Sequence, residues 1–259
     1  MFAQARVFTV FLSLSLIVLG GSLFTGCATT AANPEDPEAL YKEADEALAD
    51  EHYLVALERF RDVKNRFPYS TRAVDSELRV ADTYFAQESY LEAESAYEIF
   101  RELHPTHPKS DYVQFRIGLA YFNQIPSHWG RDLSAAYRSI DAFNVLLDKF
   151  KSSSFQGEAK QRIAEARARL AEYQSYVADF YYQRKHYLSA SYRYAALLQD
   201  YPDLGYDEEA LYRIGESYYH IRMFSNARDS LRRLLAKYPE TAFKASSQNF
   251  LKELEKTNP

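Results

Sequence analysis

From about residue 37 to the C-terminus, apolar residues recur at intervals of three or four, with charged residues between them. This interval places the apolar side chains along one face of a helix, so the pattern predicts a succession of amphipathic α-helices. Four of the predicted helices run up to a proline, at Pro68, Pro105, Pro202 and Pro239. Because proline cannot donate the next backbone hydrogen bond of a helix, these four positions mark helix ends.

The four prolines also reveal an internal repeat. When each is taken as position 32 of a unit of about 34 residues, every unit has alanine or glycine at position 8, alanine at position 20 and a large apolar residue at position 24. The residues at these positions are Ala44, Ala56 and Phe60; Ala81, Ala93 and Tyr97; Ala178, Ala190 and Tyr194; and Gly215, Ala227 and Leu231. This pattern resembles the tetratricopeptide repeat (TPR), in which small residues let two antiparallel helices approach closely and large ones fill the space beside them.

A fifth unit, between the second and third prolines, is irregular. Its first helix has Gly118 and Tyr121 in register, but its second helix resumes late, after an insertion at 124–132 that contains the single tryptophan, Trp129. No helix breaker interrupts residues 155–183, which predicts one long helix, and residues 242–256 have the pattern of a polar capping helix.

The predicted fold is therefore all-α. It is a right-handed α-solenoid of about five TPR helix pairs plus a C-terminal capping helix, within a domain of residues 37–259. The repeats are expected near residues 37–70, 74–107, 111–153, 171–204 and 208–241.

The first 26 residues have the pattern of a bacterial signal peptide. Arg6 precedes an apolar run at 7–19 that is shorter than the roughly 20 residues of a membrane span. Residues 24–27, Phe-Thr-Gly-Cys, resemble the lipobox, in which the cysteine is lipidated and becomes the new N-terminus. We therefore expect residues 1–26 to be removed, Cys27 to carry N-acyl and S-diacylglycerol lipid, and residues 27–36 to form a tether. The residue after the cysteine is Ala28, which resembles the pattern of lipoproteins that are sorted to the outer membrane. An unmodified cysteine after ordinary cleavage and a retained signal anchor are the alternatives.

Composition and charge exclude several classes of protein. The chain has 31 basic and 36 acidic residues and no basic block, which argues against nucleic acid as a ligand. Only 8 glycines argue against β-sandwich and glycine-rich nucleotide-binding folds, while 22 tyrosines and 17 phenylalanines are explained mostly by packing between repeats. No P-loop, G-x-S-x-G or H-E-x-x-H motif occurs, and His104 and His107 lack a third ligand for zinc. The sequence predicts neither an enzyme nor a cofactor other than the lipid.

The order of several motifs resembles the BamD family, the TPR lipoproteins of the machinery that assembles β-barrels in the outer membrane of Gram-negative bacteria. The resemblance rests on the lipobox at Cys27, Asn-Arg-Phe-Pro-Tyr-Ser at 65–70, Leu-His-Pro-Thr-His-Pro at 103–108, Val-Ala-Asp-Phe-Tyr at 177–181 and Asp-Tyr-Pro-Asp at 200–203. The insertion at 124–132 is shorter than in enterobacterial members, which puts any partner contact made by that loop in doubt.

The resemblance implies a scaffold that is held by its lipid on the periplasmic face of the outer membrane. Its C-terminal half would bind the periplasmic domain of BamA, within a complex that includes other subunits, and Arg193 would pair with a partner carboxylate. Its N-terminal repeats would receive targeting segments of unfolded outer-membrane β-barrel proteins. Two alternatives stay open: a TPR lipoprotein scaffold for peptidoglycan or polysaccharide-export complexes, and Arg193 as an ordinary solvated residue.

Repeat geometry suggests where such a client would bind. In TPR proteins, positions 2, 5, 9, 12 and 13 of the first helix of each pair commonly line the groove. The resulting groove candidates are Tyr41, Asp45, Leu48, Leu78, Asp82, Phe85, Tyr112, Phe115 and Phe122. Their rings would bury the terminal aromatic residue of a barrel strand, whereas the alternative is that about half of them seal neighbouring repeats.

Overall fold

A computed structural model describes residues 36–127 and 132–257 of the chain. These residues form eleven α-helices and no β-strand. The helices are α1 (Pro37–Ala49), α2 (Tyr53–Arg66), α3 (Thr71–Ala86), α4 (Tyr90–Leu103), α5 (Ser110–Asn123), α6 (Ser134–Lys149), α7 (Gln156–Gln183), α8 (Tyr187–Asp200), α9 (Asp207–His220), α10 (Phe224–Lys237) and α11 (Lys244–Thr257). The predicted signal peptide, Cys27, almost all of the tether and Trp129 lie outside the described residues.

The helices stack in chain order. Each helix packs against the next one, and the main contacts between non-consecutive helices join α1 to α3 and α5 to α7. The all-α fold of five helix pairs followed by a terminal helix is thus confirmed. No helix among the described residues has the length and apolar character needed to cross a membrane.

The small residues of the repeat occupy the closest approaches between helices. Gly118 faces the ring of Phe143, and a Cβ atom added to this glycine would lie 2.5 Å from a ring carbon. A Cβ atom added to Gly215 would likewise lie 2.7 Å from a side-chain carbon of Leu231. In the other pairs the corresponding small and large residues, such as Ala44 and Phe60, are fully buried. The close contacts predicted for Gly118 and Gly215 are confirmed.

Tight turns join the two helices of four pairs without glycine. Glu51, Glu88, Lys185 and Arg222 occupy equivalent turn positions with φ of 60–62°, in the left-handed region. The next backbone N–H closes each turn onto the preceding helix, as in the 2.8 Å bond from His52 N to Ala47 O, which is the Schellman pattern. An L-residue in this conformation costs about 1–2 kcal/mol relative to the right-handed one.

Helix α7 departs from the regular repeat. It runs unbroken for 28 residues, as predicted for residues 155–183, and at 1.5 Å per residue it is about 42 Å long. Its first half supplies Ala159, Ala166 and Leu170 to the core beside α5 and α6, and its second half packs against α8. The terminal helix α11 is amphipathic rather than simply polar, because Leu254 is fully buried against α9 and α10.

Candidate functional site

The groove candidates of α1 meet α3 through charged and aromatic contacts. The Asp45 carboxylate accepts a hydrogen bond from Arg79. The half-buried ring of Tyr41 lies edge-on to Phe60, with centroids 5.5 Å apart, and the Arg72 guanidinium lies 4.6 Å from the Tyr41 centroid. Leu48 packs in the same small cluster. These side chains define the first junction between helix pairs.

Asp82 is the centre of the second junction. Its carboxylate accepts hydrogen bonds from the hydroxyls of Tyr97, at 2.6 Å, and Tyr112, at 2.7 Å. Arg79 also reaches Asp82, at 3.4 Å. Burial, followed by the charge of Asp82, raises the pKa of Tyr112 to about 12 and holds the pKa of Tyr97 well above its usual value. Both hydroxyls therefore remain protonated donors at physiological pH.

Arg116 completes this junction from α5. Its guanidinium carbon lies 3.6 Å from the ring centroid of Phe85 and 5.6 Å from that of Tyr112. Its Nε atom donates a 2.9 Å hydrogen bond to the Tyr97 hydroxyl. A guanidinium held over a ring face gains cation–π stabilisation, so the arginine and Phe85 fix each other's position.

Four of the nine groove candidates are buried and do not line a groove: Asp82, which is 9% exposed, and three apolar core residues. Leu78, Phe115 and Phe122 are only 2%, 4% and 6% exposed. Phe115 stacks on Phe155 with centroids 4.6 Å apart, and Phe122 lies under two arginines of α7. The two phenylalanines are covered because the first half of α7, which a regular repeat lacks, packs on this side of α5. These three side chains therefore seal neighbouring helices, which is the alternative that the sequence left open.

One constellation recurs three times at constant spacing. An aspartate is followed 15 residues later by an aromatic residue and 34 residues later by an arginine. The sets, which we call Asp-ring-Arg sets, are Asp45, Phe60 and Arg79; Asp82, Tyr97 and Arg116; and Asp179, Tyr194 and Arg213. In both tyrosine sets the hydroxyl donates a hydrogen bond to the aspartate.

The sequence pattern predicts only apolar packing for the rings at position 24. It does not predict the hydrogen bond from the tyrosine hydroxyl to the aspartate. The available signal was the spacing of 34 residues between aspartate and arginine, which equals one repeat. The junction between the third and fourth pairs has Leu119, Phe143 and Tyr176 in the corresponding places, so its equivalent residues carry no charge.

In the third set, the arginine is surrounded by carboxylates of its own helix. Arg213 donates from Nη1 to Glu216, at 3.1 Å, and from Nε and Nη2 to Glu209, at 3.4 Å. The guanidinium also lies 4.6 Å from the ring centroid of Tyr182. Its charge is therefore largely compensated within α9.

Arg193, the predicted partner contact, lies on the surface of α8. It is exposed, and it makes no hydrogen bond or ion pair with another described residue. Two apolar neighbours on the same helix are also exposed, Leu188 at 45% and Tyr192 at 64%. Pairing of Arg193 with a partner carboxylate stays a prediction.

His104 lies beside the Lys64–Glu77 ion pair, between α2, α3 and α4. Its Nε2 atom lies 2.7 Å from Glu77 Oε2, while Lys64 Nζ lies 3.2 Å from Glu77 Oε1. The His107 ring packs edge-on against Phe100, with centroids 5.1 Å apart. Within residues 36–127 and 132–257, no three side chains are grouped so that they could hold a metal ion.

Comparison with known proteins agrees with this architecture. The family model described as YfiO, outer membrane lipoprotein, matches residues 33–232. Among curated proteins, the outer membrane protein assembly factor BamD of Neisseria gonorrhoeae is 29% identical over 245 residues, which cover 88% of this chain and 92% of the relative. BamD of Vibrio cholerae is 27% identical over 197 residues, or 72% of this chain and 82% of the relative.

Solved structures are more distant. The TPR2AB domain of yeast Sti1, in its pHSP90 complex, is 15% identical, with 84% of each chain covered and a TM-score of 0.43. The family model, by contrast, spans all helices from α1 into α10. On that match the resemblance to BamD is confirmed, and the chain belongs to the YfiO family of outer membrane lipoproteins.

Proposed function

We propose that the protein is a lipid-anchored scaffold of the complex that assembles β-barrels in the outer membrane, and that it faces the periplasm. The family match and the relatives' name, outer membrane protein assembly factor, support a role in outer-membrane protein assembly. The same name supports a non-enzymatic role and does not favour the alternative of a scaffold for peptidoglycan or polysaccharide export.

The proposed partner contact rests on one observation: Arg193 is exposed and forms no ion pair with a described residue. It shares the surface of α8 with the exposed Tyr192 and Leu188, and arginine and tyrosine are the residue types typical of interface hot spots that a partner buries. In the proposed complex, a BamA-type periplasmic domain supplies the carboxylate and covers this face of α8.

Affinity purification from detergent-solubilised outer membranes tests this contact. The tagged wild-type protein is expected to recover a BamA-type barrel protein. Arg193→Glu should reduce that recovery about 30-fold or more, because the partner carboxylate then faces a like charge. Arg232→Glu, at an exposed arginine of α10, is the matched control and should leave recovery unchanged. Equal recovery by Arg193→Glu and wild type would contradict the contact.

The proposed client surface is an N-terminal groove formed by the five candidates that are partly exposed, which are Tyr41, Asp45, Leu48, Phe85 and Tyr112. Asp82 is buried beneath it and holds the hydroxyl of Tyr112. Partly exposed rings of α1, α3 and α5 stand beside ordered charges here, which suits an extended segment that buries apolar side chains.

The proposed anchor is the lipid on Cys27. Two or three acyl chains suffice for stable attachment, at about 0.8 kcal/mol per buried CH₂ group. Cys27→Ser should therefore move the protein from the membrane fraction to the soluble fraction, and mass spectrometry of the wild type should show the added acyl mass. A wild-type N-terminus without that mass would refute the anchor.

A further inference from the structure

The arginines of the three Asp-ring-Arg sets occupy equivalent places but differ in what their guanidinium groups hold. Arg79 donates from Nη1 to Asp82 and from Nη2 to Asp45. Arg213 donates to Glu209 and Glu216 of its own helix. Each of these two guanidinium groups is therefore bound by two carboxylates.

Arg116 is different. Only its Nε atom is engaged, in the bond to the Tyr97 hydroxyl, and its Nη1 and Nη2 atoms have no hydrogen-bond partner among the described residues. Asp82, the acid of the same set, accepts instead from Tyr97, Tyr112 and Arg79 and forms no ion pair with Arg116. The outer edge of the Arg116 guanidinium, formed by Nη1 and Nη2, is thus positively charged and has N–H donors free to bind a ligand.

That edge is held in a fixed orientation. The guanidinium lies 3.6 Å from the Phe85 centroid, and the bond to Tyr97 fixes its rotation in the plane of the ring. Little freedom remains to be lost when a ligand binds. The anion that matches a planar pair of N–H donors is a carboxylate, which accepts two parallel hydrogen bonds.

We infer that Arg116 binds the chain-terminal carboxylate of an unfolded client whose last residues lie in the N-terminal groove, an inference that rests on the client binding proposed above. The last side chain of such a segment meets the rings of Phe85 and Tyr112 beside Arg116. Every client chain ends in such a carboxylate whatever its sequence, whereas internal acidic residues differ from client to client. Asp45 and Asp82 are already bound by Arg79, so the Nη donors of Arg116 are left for this carboxylate.

Peptide binding to the full-length protein in detergent tests the inference. The probe is a fluorescent, unstructured peptide of alternating apolar and polar residues, free of acidic side chains and ending in phenylalanine. It is made with a free C-terminal carboxylate and as the C-terminal amide. Affinities are measured by anisotropy for the wild type, Arg116→Met, Arg116→Lys and the control Arg138→Met. Like Arg116, Arg138 lies beside a ring, 5.7 Å from the Tyr121 centroid, and has no ion pair with a described residue, but it is exposed whereas Arg116 is half-buried.

Amidation should weaken binding to the wild type and to Arg138→Met about tenfold, since it removes a charge-assisted pair of hydrogen bonds. Arg116→Met should bind both peptides equally and weakly, and Arg116→Lys should recover part of the difference. If the wild type binds both peptides equally, or Arg116→Met still discriminates between them, the inference fails while client binding stands. If the wild type binds neither peptide, client binding fails as well. Circular dichroism checks the fold of each variant, and the comparison of the two peptides on the wild type does not depend on any variant.

Discussion

The second Asp-ring-Arg set, in the N-terminal half, and the third, in the C-terminal half, share their geometry but differ in how the arginine is compensated. In the N-terminal half, Arg116 rests on a ring and keeps an open edge. In the C-terminal half, Arg213 has the same register, but its guanidinium donates hydrogen bonds to Glu209 and Glu216, one turn away on either side. A repeat therefore fixes where a side chain stands, whereas single neighbours decide whether it binds a ligand or stabilises the stack.

The middle of the chain differs from both halves. The junction between the third and fourth pairs is built around Phe143, which contacts Gly118 and packs at a tilt against Phe115, with centroids 5.8 Å apart, without a polar partner of its own. Hydrogen bonds from Ser139 and Gln114 lie beside it, but Phe143 itself is held by shape alone. Tyr97 and Tyr194, in the equivalent places, are also held by hydrogen bonds.

The largest effect is expected from Phe143→Ala. Phe143 is fully buried between α5 and α6, so its removal leaves a cavity and should lower the free energy of unfolding by about 3–5 kcal/mol. Tyr137→Ala, at a half-exposed ring of the same helix, is the control and should stay within about 1 kcal/mol. Urea unfolding followed by circular dichroism measures both. Similar losses in the two variants would show that shape does not dominate this junction.

Tyr97→Phe should have the next largest effect. Its hydroxyl both donates to Asp82 and accepts from Arg116, so the variant should lose about 2 kcal/mol of unfolding free energy. Tyr194 makes only the bond to Asp179 among the hydrogen bonds of its set, and Tyr194→Phe should lose about 1 kcal/mol. The same urea titration measures both losses. A larger loss of unfolding free energy for Tyr194→Phe than for Tyr97→Phe would contradict the prediction.

Alkaline pH should weaken the tyrosine junctions. The pKa of Tyr112 is raised from its usual value near 10 to about 12 by burial and by Asp82, so the folded state binds the phenolic proton more tightly than the unfolded state does. Its contribution is complete below about pH 10 and is lost as the pH rises towards about 12. The urea midpoint should therefore fall across this interval. In Tyr112→Phe the fall should be shallower, and an unchanged slope would argue against this origin.

The smallest effect is expected at the left-handed turns. Glu51→Gly in the N-terminal half and Lys185→Gly in the C-terminal half should each raise stability by about 0.5–1 kcal/mol, because glycine adopts φ near 60° without steric cost but loses more entropy on folding. Glu46→Gly, within α1, is the control and should lower stability by about 1 kcal/mol. Thermal unfolding gives the sign, and opposite signs at the two turns would show that they are not equivalent.

The sequence was sufficient to predict the helix pairs, because each depends on local signals. Proline ends the second helix, and small residues such as Ala44 and Gly215 are required wherever two helices nearly touch. The long α7 was also predictable, since nothing in residues 155–183 breaks a helix.

The groove was less predictable, because exposure depends on what the rest of the chain covers. The repeat count placed Phe115 and Phe122 with Phe85, yet the first half of α7 buries the first two. The deciding contact is thus made by residues outside the repeat motif. The left-handed turns were not predictable from residue type either, because Glu88 and Arg222 adopt this conformation without glycine.

Helix α7 also bears on how this chain can change in length. In an ordinary solenoid each unit touches only its neighbours, so a unit can be duplicated or deleted as a block. Here one helix packs against α5 and α6 with its first half and against α8 with its second. Any gain or loss of a unit at this point would cut through that helix and uncover Phe122. Repeat number can therefore vary at the ends of the stack but is fixed at its middle.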